Sequence, residues 1–228
     1  MHRPDEKVPY RELIGSLMYL SVCTRPDIAH AVNFMSQFCN CFEEVHWTAT
    51  KRILRYLKGT KSLGLVYYRD ERGTVQGFCD ADHAHDLVDR KSYSGNVFKM
   101  AKGAISWQST KQRSVAISTA EAEYVSLSEA SKEAVFLKRF LEELLGKEEP
   151  PLTIHSDSQS AIAIANNPVH HQQTKHVDVR YHFVRETLEN GVIDLKYLET
   201  KLMVADIMTK AVHRGKHEFC RSEMGVVD

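Results

Sequence analysis

Three aspartates, Asp80, Asp82 and Asp86, crowd the ten-residue stretch GFCDADHAHD (residues 77–86), with His83 and His85 between them. Acids this close repel one another unless a cation sits among them, so the stretch raises the chemistry of a bound metal. Asp80 follows TVQGFC, which reads as a strand. Asp157 follows a second strand-like run, LTIHS, and precedes SQSAIAIA, which reads as a helix. Two carboxylates thus stand at the C-terminal ends of two strands, the edge where open α/β sheets bind ligands.

The segment STAEAEYVSL offers two glutamates. Ser118 and Glu121 have the spacing of a capping box, which gives Glu121 a structural task. Glu123 lies two residues on, rotated by about 200°, and is free to face the sheet edge. Asp206, in VADIMTK, opens the last predicted helix. Together Asp80, Glu123, Asp157 and Asp206 would hold two Mg²⁺ ions, or Mn²⁺, about 4 Å apart. Such a pair activates a water and stabilises the leaving oxygen in phosphodiester cleavage. Taken singly, each acid has a plainer explanation. An Asp before a helix caps it, and an Asp in a first turn complements the helix dipole. Their joint order on one sheet pattern is what points to a metal centre. Asp82 and Asp86 are then surface or loop acids.

The elements that must position these acids follow from periodicity. Residues 9–60 read as helices, with Thr24 suited to cap a helix start at Pro26 and Gly59 ending the third. Residues 63–68 and 74–79 read as strands, and 95–100 with 104–107 as a hairpin. A long helix over about 119–145 precedes a strand at 152–156, helices at 158–166 and 175–190, a strand at 192–198 and a helix from about 202 to 211. From residue 74 on, three strands followed by alternating helices and strands predict a mixed sheet covered by helices.

The chain has 228 residues, 43% hydrophobic and 26% charged, which suits one or two folded domains rather than a disordered chain. Formal net charge is zero, so nucleic-acid contact would depend on local charge. HWTATKRILRYLKGTK carries Lys51, Arg52, Arg55, Lys58 and Lys61 with no acid. It is either a solvated helix face or a surface that tracks phosphates. Lys175, Arg180 and Arg185 form a second basic segment beside His170, His171, His176 and His182. His176 and His182 are six apart and do not share a helix face, which disfavours zinc. Five cysteines without framework spacing argue against a disulfide scaffold and fit a reducing compartment. No apolar run is long enough to span a membrane. LIGSLMYLSV (13–22) has the length of a signal-peptide core, but Asp5, Glu6 and Glu12 spoil the basic flank. A buried amphipathic helix fits it better.

Long stretches resemble a known family. FCDADHAHDLVDRKSYSGNVFKMAKGAISWQSTKQRSVAISTAEAEYVSLSEA, IHSDSQSAIAIANNP, TKHVDVRYHFVRE and YLETKLMVADIMTK are similar to the ribonuclease H domain of Ty1/copia-type retrotransposon Pol polyproteins. YRELIGSLMYLSVCTRPDIAHAVNFMSQF and HWTATKRILRYLKGT resemble the end of the adjoining reverse transcriptase. The resemblance implies a ribonuclease H-like mixed five-stranded sheet flanked by helices over 65–212. A helical remnant of the reverse transcriptase would occupy 1–64, and 213–228 would be a tail. It implies metal-dependent cleavage of the RNA strand of an RNA–DNA hybrid by Asp80, Glu123, Asp157 and Asp206. Lys51, Arg52, Arg55, Lys58, Lys175 and Arg180 would contact the nucleic acid. The partners would be the hybrid and the rest of a Pol polyprotein, inside the cell. The polymerase's Tyr-x-Asp-Asp signature is absent, so no polymerase activity is expected. The family's histidine before the last helix has no counterpart in Glu199-Thr200-Lys201. The apolar faces of the first helices would need partners outside this chain.

A second resemblance competes. Arg52-Ile53-Leu54-Arg55, followed by Asp70-Glu71-Arg72, is similar to the RxLR translocation signature of oomycete secreted effectors. That resemblance implies secretion, entry into a host cell and suppression of defence or cell death through host proteins. A third alternative is a nucleic-acid-binding remnant without catalysis.

Overall fold

A computed structural model describes residues 8–69, 73–84, 89–167 and 175–228, without the side chains of 175–178. Asp86, the Asp70–Arg72 triplet, His85, His170, His171 and the side chains of Lys175 and His176 lie outside the described residues.

The centre is a five-stranded sheet. Its strands are β2 (Gln76–Ala81), β3 (Tyr93–Met100), β4 (Gly103–Lys111), β5 (Leu152–Ser156) and β6 (Ile193–Tyr197). The spatial order is β4-β3-β2-β5-β6. β3 runs antiparallel to both β2 and β4, whereas β5 runs parallel to β2 and to β6. The expected mixed sheet is therefore present. Ala101 and Lys102, both at positive φ, form a two-residue turn between β3 and β4, the turn type whose twist suits a hairpin.

α4 (Thr119–Leu145) crosses one face of the sheet. Its Tyr124, Leu127, Ala130, Ala134, Leu137 and Leu141 recur at helical spacing and are buried with Phe98, Ile154 and Val184. The Ser118 hydroxyl accepts from the Glu121 N–H at 3.1 Å, and Gly146 at φ 63° ends the helix. Glu121 completes the cap on the Ile117 N–H, at 2.8 Å, rather than on that of Ser118. α5 (Gln159–Asn166) and α6 (Lys175–Glu189) share the α4 side.

The opposite face carries the remaining helices. α1 (Tyr10–Cys23), α2 (Ala29–Ser36) and α3 (Glu44–Gly59) bury Tyr10, Ile14, Leu17, Val32, Met35 and Ile53 among themselves. The 13–22 run lies within α1, so it is the amphipathic helix its sequence suggested. Pro26 opens a short 3₁₀ turn, but Thr24 makes no side-chain cap. A buried ion pair does more to join these helices. Arg25 stands 2.7 Å from Asp27, which also accepts from the Tyr56 hydroxyl of α3 at 2.6 Å.

These helices dock on the sheet of the same chain, although Tyr19 and Val22 of α1 and Val45 of α3 stay exposed. The Trp107 indole donates to the Ser21 carbonyl at 2.7 Å, and the Asn33 amide to that of Ser109 at 3.0 Å, both across to β4. Residues 213–228 carry no motif, yet they form α8 (Arg214–Glu223) and β7 (Val226–Val227). β7 pairs antiparallel with β1 (Gly64–Leu65). Cys220, Met224 and Val226 are fully buried with Met203 and Met208 of the segment that holds Asp206.

Candidate active site

Adjacent parallel strands set the first two acids side by side. Cys79 of β2 registers with Ser156 of β5, so Asp80 and Asp157 are the residues that follow each partner along the chain. Asp80 lies within β2 rather than after it, because the strand extends to Ala81. Asp157 stands just beyond β5, and the cap of α5 is Ser158, whose hydroxyl accepts from the Ala161 N–H at 3.2 Å. Asp157 is thereby released from the capping role an Asp before a helix commonly takes.

Glu123 arrives from the second turn of α4. Oxygen atoms of Asp80, Glu123 and Asp157 all lie within 4.8 Å of one another. Asp80 is buried at 1% exposure, and Glu123 has one carboxylate oxygen buried with no hydrogen-bond partner. Burial, then the charges of Asp80 and Asp157, hold the Glu123 carboxyl well above the usual carboxylate range. Burial likewise raises that of Asp80, with Lys210 pulling it down and Asp206 pushing it up. Buried, converging and partly unpartnered carboxylates fit the donor set of a hard divalent cation.

Asp206, at the start of the short helix α7 (Asp206–Thr209), stands outside this group of three. The expected helix over 202–211 is instead a 3₁₀ turn at Thr200–Leu202 followed by α7. Lys210 reaches Asp206 at 2.7 Å and Asp80 at 3.4 Å, and Lys216 reaches Asp206 at 2.9 Å. Burial by itself lowers the Lys210 pKa, but Asp80 and Asp206 outweigh it and raise the pKa, so the ammonium stays charged. Thr209 donates its hydroxyl to Asp80, and Thr200, in the loop that lacks a histidine, donates to Asp157 at 2.7 Å.

Sequence reasoning passed over Thr200, Thr209, Lys210 and Lys216. Thr209 and Lys210 were legible, since they follow Asp206 at helical spacings of three and four. Lys216 and Thr200 depend on tertiary folding and carried no signal. Asp82, expected at the surface, is 5% exposed and accepts from the Tyr93 N–H.

Of the basic residues, Arg52, Arg55 and Lys58 are exposed on α3. Lys51 lies over the Trp47 ring and 3.8 Å from Glu44. Arg55 lines a cavity of about 490 Å³ with Arg214, His217 and Arg221. Arg180 is half-buried on α6, and His182 is exposed. Arg52-Ile53-Leu54-Arg55 lies within α3, with Ile53 buried.

A central parallel strand pair, an antiparallel flank and carboxylates at the C-terminal ends of the pair define a ribonuclease H-like domain. The chain belongs to the copia-type retrotransposon Pol family. It is 46% identical over 220 residues, 96% of its length, to the Retrovirus-related Pol polyprotein from transposon TNT 1-94 of Nicotiana tabacum. It spans only 16% of that polyprotein. It is also 48% identical over 132 residues to Secreted RxLR effector protein 161 of Plasmopara viticola, covering 58% of this chain and 93% of the effector. A crystal structure of LC11-RNase H1 in complex with RNA/DNA hybrid superposes at a TM-score of 0.45 and 14% identity, covering 60% of this chain and 94% of that one. No family model matches the chain. No helix among the described residues is long and apolar enough to cross a membrane.

Proposed function

We propose that the chain is a metal-dependent ribonuclease H that cleaves the RNA strand of RNA–DNA hybrids, as one segment of a Pol polyprotein acting in the cytoplasm or nucleus. The observation that carries this is the convergence of Asp80, Glu123 and Asp157 at the end of the parallel strand pair. Mg²⁺ or Mn²⁺ held by these three would lower the pKa of a bound water and stabilise the leaving oxygen. The chain's own residues fix the geometry. Thr209 and Thr200 orient Asp80 and Asp157 through their hydroxyls, and Lys210 offsets the charge between Asp80 and Asp206. Arg52, Arg55 and Lys58 on α3, with Lys175 and Arg180 on α6, would engage the phosphates. Discrimination between RNA and DNA would rest on the 2′-hydroxyls and backbone shape.

The test is incubation of a labelled RNA–DNA hybrid with purified protein and Mg²⁺ or Mn²⁺. Cleavage confined to the RNA strand, and lost in Asp80→Asn and Asp157→Asn, is expected. A folded protein that leaves the hybrid intact would be a silent nucleic-acid-binding remnant.

A second reading, as a secreted effector acting on host proteins, is favoured by the similarity to the Plasmopara viticola protein. Against it, Arg52-Ile53-Leu54-Arg55 is fixed in the helix α3 with Ile53 buried, although Arg52, Leu54 and Arg55 are exposed, whereas a translocation signal needs a pliant segment. Expression with a C-terminal reporter in an oomycete decides between them. Reporter in the culture fluid would favour the effector, and retention in the cells would rule it out.

A further inference from the structure

Four carboxylates meet two ammonium groups at this end of the sheet. Lys216 is anchored: besides Asp206, its ammonium donates to the carbonyls of Thr200 and Lys201 at 2.8 and 2.9 Å, and its side chain is 11% exposed. Lys210 faces the other oxygen of Asp206 and reaches across to Asp80. If Lys210 swung away, Asp80 would keep only the bond from Thr209 and Asp206 only Lys216, which is costly for buried carboxylates. The negative charge of Asp206 is therefore already answered on both of its oxygens.

Charge balance then limits what else the site can hold. Fully ionised, as metal ligation requires, Asp80, Glu123, Asp157 and Asp206 carry four negative charges, and Lys210 and Lys216 offset two. The two left over match one divalent ion, and the three acids whose oxygens lie within 4.8 Å are those not clamped by Lys216. A second divalent ion would leave the buried cluster with net positive charge. It would also have to expel Lys210 from between Asp80 and Asp206.

We propose that Lys210 is the second cation of this site: its ammonium holds the position between Asp80 and Asp206, and the site takes one divalent ion, on Asp80, Glu123 and Asp157. Asp206 is then a positioning residue that seats Lys210. The lysine side chain is 35% exposed, so its ammonium also remains within reach of a substrate phosphate. The inference rests on the nuclease reading above and replaces the expected pair of metal ions with one metal ion and one lysine.

The deciding experiment counts bound Mn²⁺ by electron paramagnetic resonance of the free ion. It is done on the protein alone and with a hybrid whose RNA strand carries 2′-O-methyl groups and resists cleavage. The wild type is expected to bind one Mn²⁺ in both states, and Asp206→Asn still one. Lys210→Met should admit a second, and Asp80→Asn should weaken binding by about 10-fold or more. Two ions on the wild type, one of them lost in Asp206→Asn, would overturn the proposal and leave the nuclease standing. No Mn²⁺ binding, or binding unchanged in Asp80→Asn, would overturn the metal centre itself. The wild-type count decides even if Lys210→Met fails to fold.

Discussion

The Ser126 hydroxyl donates to the main-chain carbonyl of Asp80 at 2.6 Å and lies 3.3 Å from that of Gly95. Ser126 is one turn beyond Glu123 on α4, so this bond fixes where Glu123 meets Asp80. Ser126→Ala is expected to cost about 1–3 kcal/mol, the cost of stripping a partner from a buried carbonyl. Because it also frees α4 to shift against β2, Mn²⁺ affinity should fall by about 10-fold. Urea unfolding and Mn²⁺ titration on the same samples test the pair of effects. A stability loss with unchanged metal affinity would show that Glu123 is held by other contacts.

Glu123 and Asp80 have carboxyl pKa values raised by burial. A folded state with raised carboxyl pKa values binds more protons than the unfolded chain, so stability is greatest below the ordinary carboxylate range, about pH 4, and falls as pH rises. In chelator, the melting temperature should therefore drop between pH 5.5 and pH 8.5, and Mn²⁺ should reduce the drop. Glu123→Gln removes one buried charge. At pH 8.5 without metal it should raise the melting temperature by roughly 2–4 °C, about 1 kcal/mol for a chain of this size, while abolishing RNA cleavage. Calorimetry in chelator at the two pH values checks this. A flat pH profile in the wild type would contradict the burial of these charges.

Asp27 ties the turn at 25–28 to α3 through Arg25 and Tyr56. Its side chain is fully buried and that of Arg25 nearly so. Asp27→Ala leaves an uncompensated buried guanidinium and should cost about 3–5 kcal/mol. Arg25→Met with Asp27→Leu removes both charges and should recover most of that loss. Urea midpoints of the single and double variants give the answer, and a double variant no better than the single would mean that packing, not charge, is at issue.

How far the sequence revealed this molecule depends on the range of the interaction. Apolar periodicity marked α4 over its full length because one face of a long helix repeats its burial many times. The capping box left Glu123 free by a local rule, and Glu123 does join Asp80 and Asp157. What lacked a local signal was missed. Residues 213–228 have no repeat long enough to declare a face, yet Cys220, Met224 and Val226 close the core beneath α7. The docking of α1–α3 rests on single long-range bonds such as that from Trp107 to Ser21. The pairing of Asp206 with Lys216 is set by the fold of the 3₁₀ turn, and no spacing announces it.

Gly95 shows how closely the backbone controls the site. It pairs with Asp80 across the β2–β3 ladder, and α7 lies directly over it. A Cβ at this position would stand 2.5 Å from the Cβ of Met208, 2.8 Å from the Thr209 methyl and 3.2 Å from the Ala205 carbonyl. Two of these atoms are backbone or next to it, so no rotamer change relieves the clash. Gly95→Ala must push α7 off the sheet, at a cost of about 1–3 kcal/mol. The same shift carries the Thr209 hydroxyl away from Asp80 and moves Asp206 and Lys210 with it. Metal affinity and RNA cleavage should therefore fall together, although no charged or polar side chain has been altered. Circular dichroism, Mn²⁺ titration and hybrid cleavage on this one variant separate the alternatives. Wild-type cleavage in a merely less stable protein would mean that the α7 contacts with Asp80 do not shape the site.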